Sequence, residues 1–122
     1  MRRIIVADDE PWIRTVAARV LAEEGFEVLE AADGSEALSL IEDHSRSVAL
    51  VVSDILMPGV NGIELTERLA RSHPRVPVVL MSGYGAQELA EKGIASPCGV
   101  LTKPFLPAVL VAEVRRCLAE VA

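Results

Sequence analysis

Aromatic residues are nearly absent: two Phe, one Tyr and one Trp, 3% of the 122 residues. The core must therefore be aliphatic, built from Val, Leu, Ile and Ala. Cysteine is scarce as well. Cys98 and Cys117 form no metal-ligand spacing, and so sparse a pair reads as two reduced, buried thiols in a cytosolic protein, behaving as small hydrophobes. No stretch approaches the ~20 apolar residues of a membrane span. Ile4–Ala7, which follows the basic Met1-Arg2-Arg3, is too short for the apolar part of a secretory signal before Asp8 and Asp9 interrupt it. A cytoplasmic protein without membrane contact is expected. Basic residues are outnumbered, 12 against 18 acidic, for a net charge of -6. That balance argues against a protein that coats nucleic acid or an anionic membrane surface. Repeats, low-complexity tracts and linkers are also missing, so one domain over residues 1–122 is expected, with no output domain.

What remains is 51% hydrophobic and 25% charged. A chain of this length buries roughly two-thirds of its unfolded surface and needs neither disulfide nor metal to fold. Apolar runs alternate with helical patterns. Strands are expected at Ile4–Ala7, Phe26–Ala31 (period two, an edge strand), Val48–Val52, Val78–Met81 and Gly99–Thr102. Helices are expected at Trp12–Glu24, behind Pro11 and closed by Gly25; at Glu36–Asp43, capped by Asp33 or Ser35; at Gly62–Ser72, capped by Asn61; at Ala86–Lys92; and at Leu106–Val121. In the third, Ile63, Leu65, Leu69 and Ala70 are expected inward, with Thr66 and Arg68 outward. Strand–helix alternation implies a parallel sheet covered on both faces, an α/β doubly wound fold with right-handed crossovers.

In such sheets the polar site forms outside the carboxyl ends of the strands. Asp8-Asp9-Glu10 follows the first strand, Asp54 the third, Ser82-Gly83 the fourth, and Thr102-Lys103-Pro104 the fifth. Each group alone has a bland reading: a helix N-cap cluster, a turn, a solvated loop lysine. Together they converge on one edge. Several carboxylates in one cleft raise each other's pKa, and a hard divalent cation removes the conflict. Mg²⁺ takes oxygen ligands and keeps several waters. Asp9 and Asp54 are the first candidates as ligands, with Asp8 direct or through water and a backbone carbonyl near Leu56. Lys103 offers a point charge for a phosphate oxygen, and Ser82 a hydroxyl donor. A carboxylate flanked by Mg²⁺, Lys and Ser is a site for an aspartyl phosphate.

The pieces IIVADDE, VVSDILMPGVNG, VVLMSGYG and LTKPF, in this order, resemble the receiver domains of two-component response regulators over Arg3–Val121. The resemblance implies a flavodoxin-like, five-stranded parallel sheet of order 2-1-3-4-5 with five helices. It implies Asp54 as phosphoacceptor, Asp8 and Asp9 as the Mg²⁺-holding pair, the Leu56 carbonyl as a further ligand, Ser82 as switch hydroxyl and Lys103 as phosphoryl contact. It also implies a cis bond before Pro104, and a histidine kinase or histidine phosphotransfer protein as phosphodonor. Such a domain is not an enzyme beyond its own phosphorylation and dephosphorylation. Three features depart from the pattern. Val100 stands where many receivers carry an aromatic switch, so transmission is expected through Ser82 and the loop to Gly85, or through backbone shifts. Leu56 and Tyr84 flank the path of an attacking water, and Leu56 cannot hydrogen-bond it, so slow self-dephosphorylation is expected. The segment around Ala86–Lys92 is rich in small residues and is expected to be the least stable.

Competing readings are a receiver-shaped scaffold that no longer turns over phosphate, and a small flavoprotein or phosphatase on a similar sheet. The acidic turn after the first strand disfavours a flavin phosphate. The last helix carries surplus aliphatics, with Val111, Leu118 and Val100 as candidates for a docking or homodimer surface toward an unknown downstream protein. Arg115-Arg116 reads as a dipole-favourable helix end. No helix-turn-helix follows, so direct DNA binding is not expected.

Overall fold

The computed structural model describes residues 2–83 and 97–120. Strands β1 (Arg3–Ala7), β2 (Glu27–Ala31), β3 (Val48–Asp54), β4 (Val78–Ser82) and β5 (Gly99–Thr102) pair in parallel in the order β2-β1-β3-β4-β5. Four helices lie among the described residues: α1 (Pro11–Glu23), α2 (Gly34–Asp43), α3 (Gly62–Ser72) and α4 (Pro107–Glu120). The helix expected at Ala86–Lys92 and the low stability expected of that segment lie outside them, as do Tyr84 and Gly85.

Successive strand residues point to opposite faces, and both faces are apolar. Ile4, Val6 and Val52 pack with Leu21 of α1 and Leu110 and Val114 of α4. Ile5, Val51 and Leu80 pack with Ile41 of α2 and Leu65 and Leu69 of α3. The sheet is thus covered by α1 and α4 on one side and by α2 and α3 on the other. The chain leaves β1 toward β2, then returns across β1 to β3. That reversal opens a crevice between the carboxyl ends of β1 and β3.

Helix starts follow the capping rules. The Asp33 side chain accepts from the Glu36 N–H at 2.8 Å, and Asn61 from the Glu64 N–H at 2.9 Å. With Asp33 as the cap, α2 begins at Gly34, two residues before the expected start. Pro11 opens α1, and Gly25, at φ +94°, lets the chain leave it.

Several side chains face otherwise than their periodicity suggests. Thr66 is buried and Ala70 exposed, because the Thr66 hydroxyl donates to the Gly62 carbonyl at 2.8 Å and so carries its own partner inside. Val16 is exposed while Ala18 is buried, since α1 sits close to the sheet on small residues. Leu118 belongs to the core, so it offers nothing to a docking surface; Leu106 and Val109 are the exposed aliphatics of this region.

The cysteines are not free thiols. Cys98, just before β5, and Cys117 of α4 form a disulfide with a Cα–Cα distance of 5.9 Å. Two residues 19 apart in sequence are brought together because α4 packs back along β5. Closing a loop of this length stabilises by about 3 kcal/mol in the chain-entropy account. Reductant is therefore expected to lower the urea midpoint by that equivalent, and to leave a Cys98→Ser variant unmoved. Identical midpoints with and without reductant would contradict it.

Candidate functional site

The carboxyl edge of the sheet gathers the polar side chains that the interior excludes. Asp54 is the last residue of β3 and Ser82 of β4; both are buried. Asp8 follows β1 and is also buried. Lys103 follows β5, with its backbone N–H donating to the Ser82 carbonyl at 2.7 Å. A cis bond joins Lys103 to Pro104.

Every polar atom of Asp8 has a partner. Its N–H donates to the Ala31 carbonyl of β2 at 3.1 Å. Its carbonyl accepts from the Arg14 guanidinium of α1 at 2.8 Å. Oδ1 accepts from the Glu10 N–H at 2.9 Å, and Oδ2 from the Lys103 ammonium at 3.0 Å. The same ammonium lies 3.3 Å from Asp54 Oδ1, which also accepts from the Ile55 N–H at 2.9 Å. One cation thus bridges two buried carboxylates.

The electrostatics follow from this packing. Burial raises the Asp54 pKa, the Asp8 charge adds to it, and Lys103 and the Ile55 N–H only partly offset the rise. Burial pulls the Lys103 ammonium down, but the Asp8 hydrogen bond and the Asp54 charge outweigh it, so its pKa ends above the usual lysine value. The site therefore holds more negative charge than one lysine neutralises.

Asp8, Asp9 and Asp54 each place a carboxylate oxygen within 4.8 Å of the others. Oxygens sharing an octahedral Mg²⁺ lie roughly 3–4 Å apart, and an all-carboxylate donor set suits a hard cation. Asp9 is exposed at the apex of the turn that the Asp8 Oδ1–Glu10 bond closes, which leaves it facing solvent. The structure thus brings together Asp8, Asp9, Asp54 and Lys103, with Ser82 on the adjacent strand end. Leu56 lies just beyond β3 with an exposed side chain. Val100 is half-buried and packs against the core between the sheet and α2–α3, with no ring to move.

Sequence reasoning missed two residues here. Arg14 reads as a solvent-facing helix residue, and only the three-dimensional return of α1 over the β1 end reveals its contact. Gly62 ends the MPGVNG motif, but its role is spatial: a Cβ there would lie 2.3 Å from the Asp54 carbonyl oxygen.

Comparison with known proteins agrees with this geometry. Residues 4–115 match the response regulator receiver domain family. The chain is 34% identical over 118 residues to the sensor kinase CckA of Brucella abortus, covering 96% of this chain and 12% of that protein. It is 36% identical over 121 residues to the transcriptional regulatory protein PdtaR of Mycobacterium tuberculosis, covering 93% of this chain and 58% of the relative. The chain therefore spans only part of these relatives. Among solved structures, the chemotaxis protein CheY4 of Vibrio cholerae superimposes with a TM-score of 0.85 at 27% identity, covering 96% of this chain and 98% of that one. The buried aspartate at the end of β3, the acidic turn after β1 and the lysine after β5 stand in one crevice of a 2-1-3-4-5 sheet, and the chain belongs to the response regulator receiver domain family.

Proposed function

We propose that this domain accepts a phosphoryl group on Asp54, with Mg²⁺ held by Asp9, Asp54 and the Leu56 carbonyl and by Asp8 directly or through water, and that the modification alters partner binding. The observation that carries this reading is the Lys103 ammonium shared between Asp8 and Asp54, beside three clustered carboxylates. A structural salt bridge needs one carboxylate per lysine; the excess negative charge fits a site that takes up a cation and then a phosphoryl group. Receiver domains partner with histidine kinases or phosphotransfer proteins, and a phosphohistidine of such a protein is the proposed donor.

An Asp54 carboxylate oxygen forms the new O–P bond as the P–N bond of the phosphohistidine breaks. The electron pair stays on the ring nitrogen, and the imidazole, protonated on its other nitrogen, leaves neutral. Asp54 is held for this by the Ile55 N–H on one oxygen. Lys103 is placed to move from the carboxylates to a phosphoryl oxygen, and Ser82 to donate its hydroxyl to another. Bound Mg²⁺ supplies neutralisation of the charge on the transferred group. The chain catalyses its own modification only. With the apolar Leu56 unable to orient an attacking water, self-dephosphorylation is slow. Trp12, Ile13, Val16 and Phe105 line an apolar groove that Lys103 borders, and this groove is where a donor protein reaching Asp54 makes contact. A cytoplasmic setting suits such a donor.

Incubation with a small phosphodonor and Mg²⁺, followed by intact mass, tests the reading. One phosphoryl group is expected, lost in Asp54→Asn and with chelator. No gain in mass by a protein shown to bind Mg²⁺ would instead favour a receiver-shaped scaffold.

A further inference from the structure

We infer that Arg14 is a positioning residue for the cation site: it orients the Asp8–Asp9 peptide from outside the crevice, and Glu30 aims it. The inference rests on the reading of Asp9 and Asp54 as Mg²⁺ ligands.

Arg14 lies in the first turns of α1, and its side chain is 19% exposed. Its guanidinium makes two bonds to two different elements. One N–H donates to the Asp8 carbonyl at 2.8 Å, and Nε donates to Glu30 Oε1 on β2 at 3.3 Å. Two fixed bonds from a planar fork define an orientation that a point charge cannot. The Asp8 carbonyl belongs to the peptide plane that joins Asp8 to Asp9. Its rotation decides where the Asp9 side chain leaves the turn. The neighbouring contacts fix Asp8 itself: the bond to Ala31 holds its N–H, and Glu10 and Lys103 hold its carboxylate. Asp9 has no such support, being exposed and making no hydrogen bond or ion pair among the described residues with its carboxylate. The peptide after Asp9 is tied by the Glu10 N–H to Asp8 Oδ1; the carbonyl before Asp9 is the other handle by which the protein presets it, and Arg14 holds that one. Groups that orient ligands without touching the ion typically change metal affinity by 10–100-fold when removed.

Charge makes the test decisive. Arg14 is a cation close to a cation site. If it acted only through its field, removing it would tighten Mg²⁺ binding. A positioning role predicts the opposite sign. The experiment measures Mg²⁺ affinity by titration calorimetry on the full chain for the wild type, Arg14→Met, Arg14→Lys and Glu30→Ala, with thermal unfolding in chelator alongside. Roughly tenfold weaker binding is expected for Arg14→Met. Arg14→Lys, which keeps the charge but loses the two-pronged bond, recovers only part, and Glu30→Ala falls between Arg14→Lys and wild type. Unchanged or tighter binding in Arg14→Met overturns the inference, as does weaker binding that merely tracks the loss of thermal stability across the variants. Should Arg14→Met not fold, Arg14→Lys, which leaves the charge unchanged, carries the comparison, and wild-type affinity in it overturns the inference. A wild type that binds no Mg²⁺ defeats the functional reading itself, a result distinct from any of these.

Discussion

Lys103→Met is expected to destabilise the metal-free domain by roughly 3 kcal/mol at neutral pH, the range for breaking a buried ion pair by removing one partner. The lysine side chain is 18% exposed, and the carboxylates it serves are 0% and 11% exposed, so solvent screens little of the loss. The cost comes from what stays behind: two buried carboxylates with only N–H donors. Asp54 is already held above the usual carboxylate value with Lys103 present. Without it the rise grows, and a raised carboxylate pKa means that ionised Asp54 opposes folding. Protonation relieves that opposition, so the penalty is present at neutral pH, shrinks as pH falls through the elevated Asp54 value, and is smallest below the ordinary 3.8. The wild-type lysine has the complementary signature. Its pKa is raised, so its contribution is complete below its ordinary 10.5 and is lost as pH rises past the elevated value. Saturating Mg²⁺ should restore much of the variant's stability, because a divalent ion replaces the missing charge, yet phosphorylation should stay impaired, since no ammonium meets the phosphoryl oxygens. Urea unfolding of both proteins at several pH values, with chelator or Mg²⁺, checks each statement. A variant as stable as wild type in chelator at neutral pH would show that the pair does not hold the edge together.

The sheet was legible because its inner strands are apolar on both faces and alternate with helical patterns, which together imply a covered parallel sheet. Ile4-Ile5-Val6-Ala7 and Val48–Val52 cannot sit at a surface. The site was legible for the complementary reason: Asp54 and Lys103 end apolar runs, and strand ends of one sense share one edge. Lateral contacts were not legible. Nothing in the spacing of Cys98 and Cys117 says that α4 lays one over the other. Thr66 looks polar in sequence and goes inside because the helix itself supplies an acceptor. Arg14 is four residues from Glu10 along α1 yet acts backward, on the carbonyl of Asp8. Periodicity encodes which face an element buries; it does not encode what a long side chain reaches across a turn.

Gly62→Ala is expected to lower stability by at least about 3 kcal/mol and to slow phosphorylation of Asp54 about a hundredfold. Helix propensity alone argues the other way, since alanine is favoured over glycine in a helix by up to ~1 kcal/mol. The contact decides the sign. A Cβ at Gly62 would stand 2.3 Å from the Asp54 carbonyl oxygen and 3.0 Å from both its carbonyl carbon and the Ile55 Cα. These are backbone atoms of the strand end, with no rotamer to yield. The Gly62 N–H also donates to the Ile55 carbonyl at 2.9 Å, so α3 is pinned against that strand end and cannot back away freely. Overpacking of this kind typically costs ~1–3 kcal/mol when side chains adjust, and more when backbone must. The strain falls on the peptide that bears Asp54, the proposed phosphoacceptor, where a displacement near 1 Å slows reaction on the order of 10²-fold. Gly25→Ala is the control. Gly25 has open space around it but sits at φ +94°, so alanine there should cost ~1–2 kcal/mol through backbone strain alone and leave the phosphorylation rate unchanged. Urea midpoints and phosphodonor kinetics on the two variants separate a general loss of stability from displacement of Asp54. Equal rates in both would mean that the α3 start does not set the position of the acceptor.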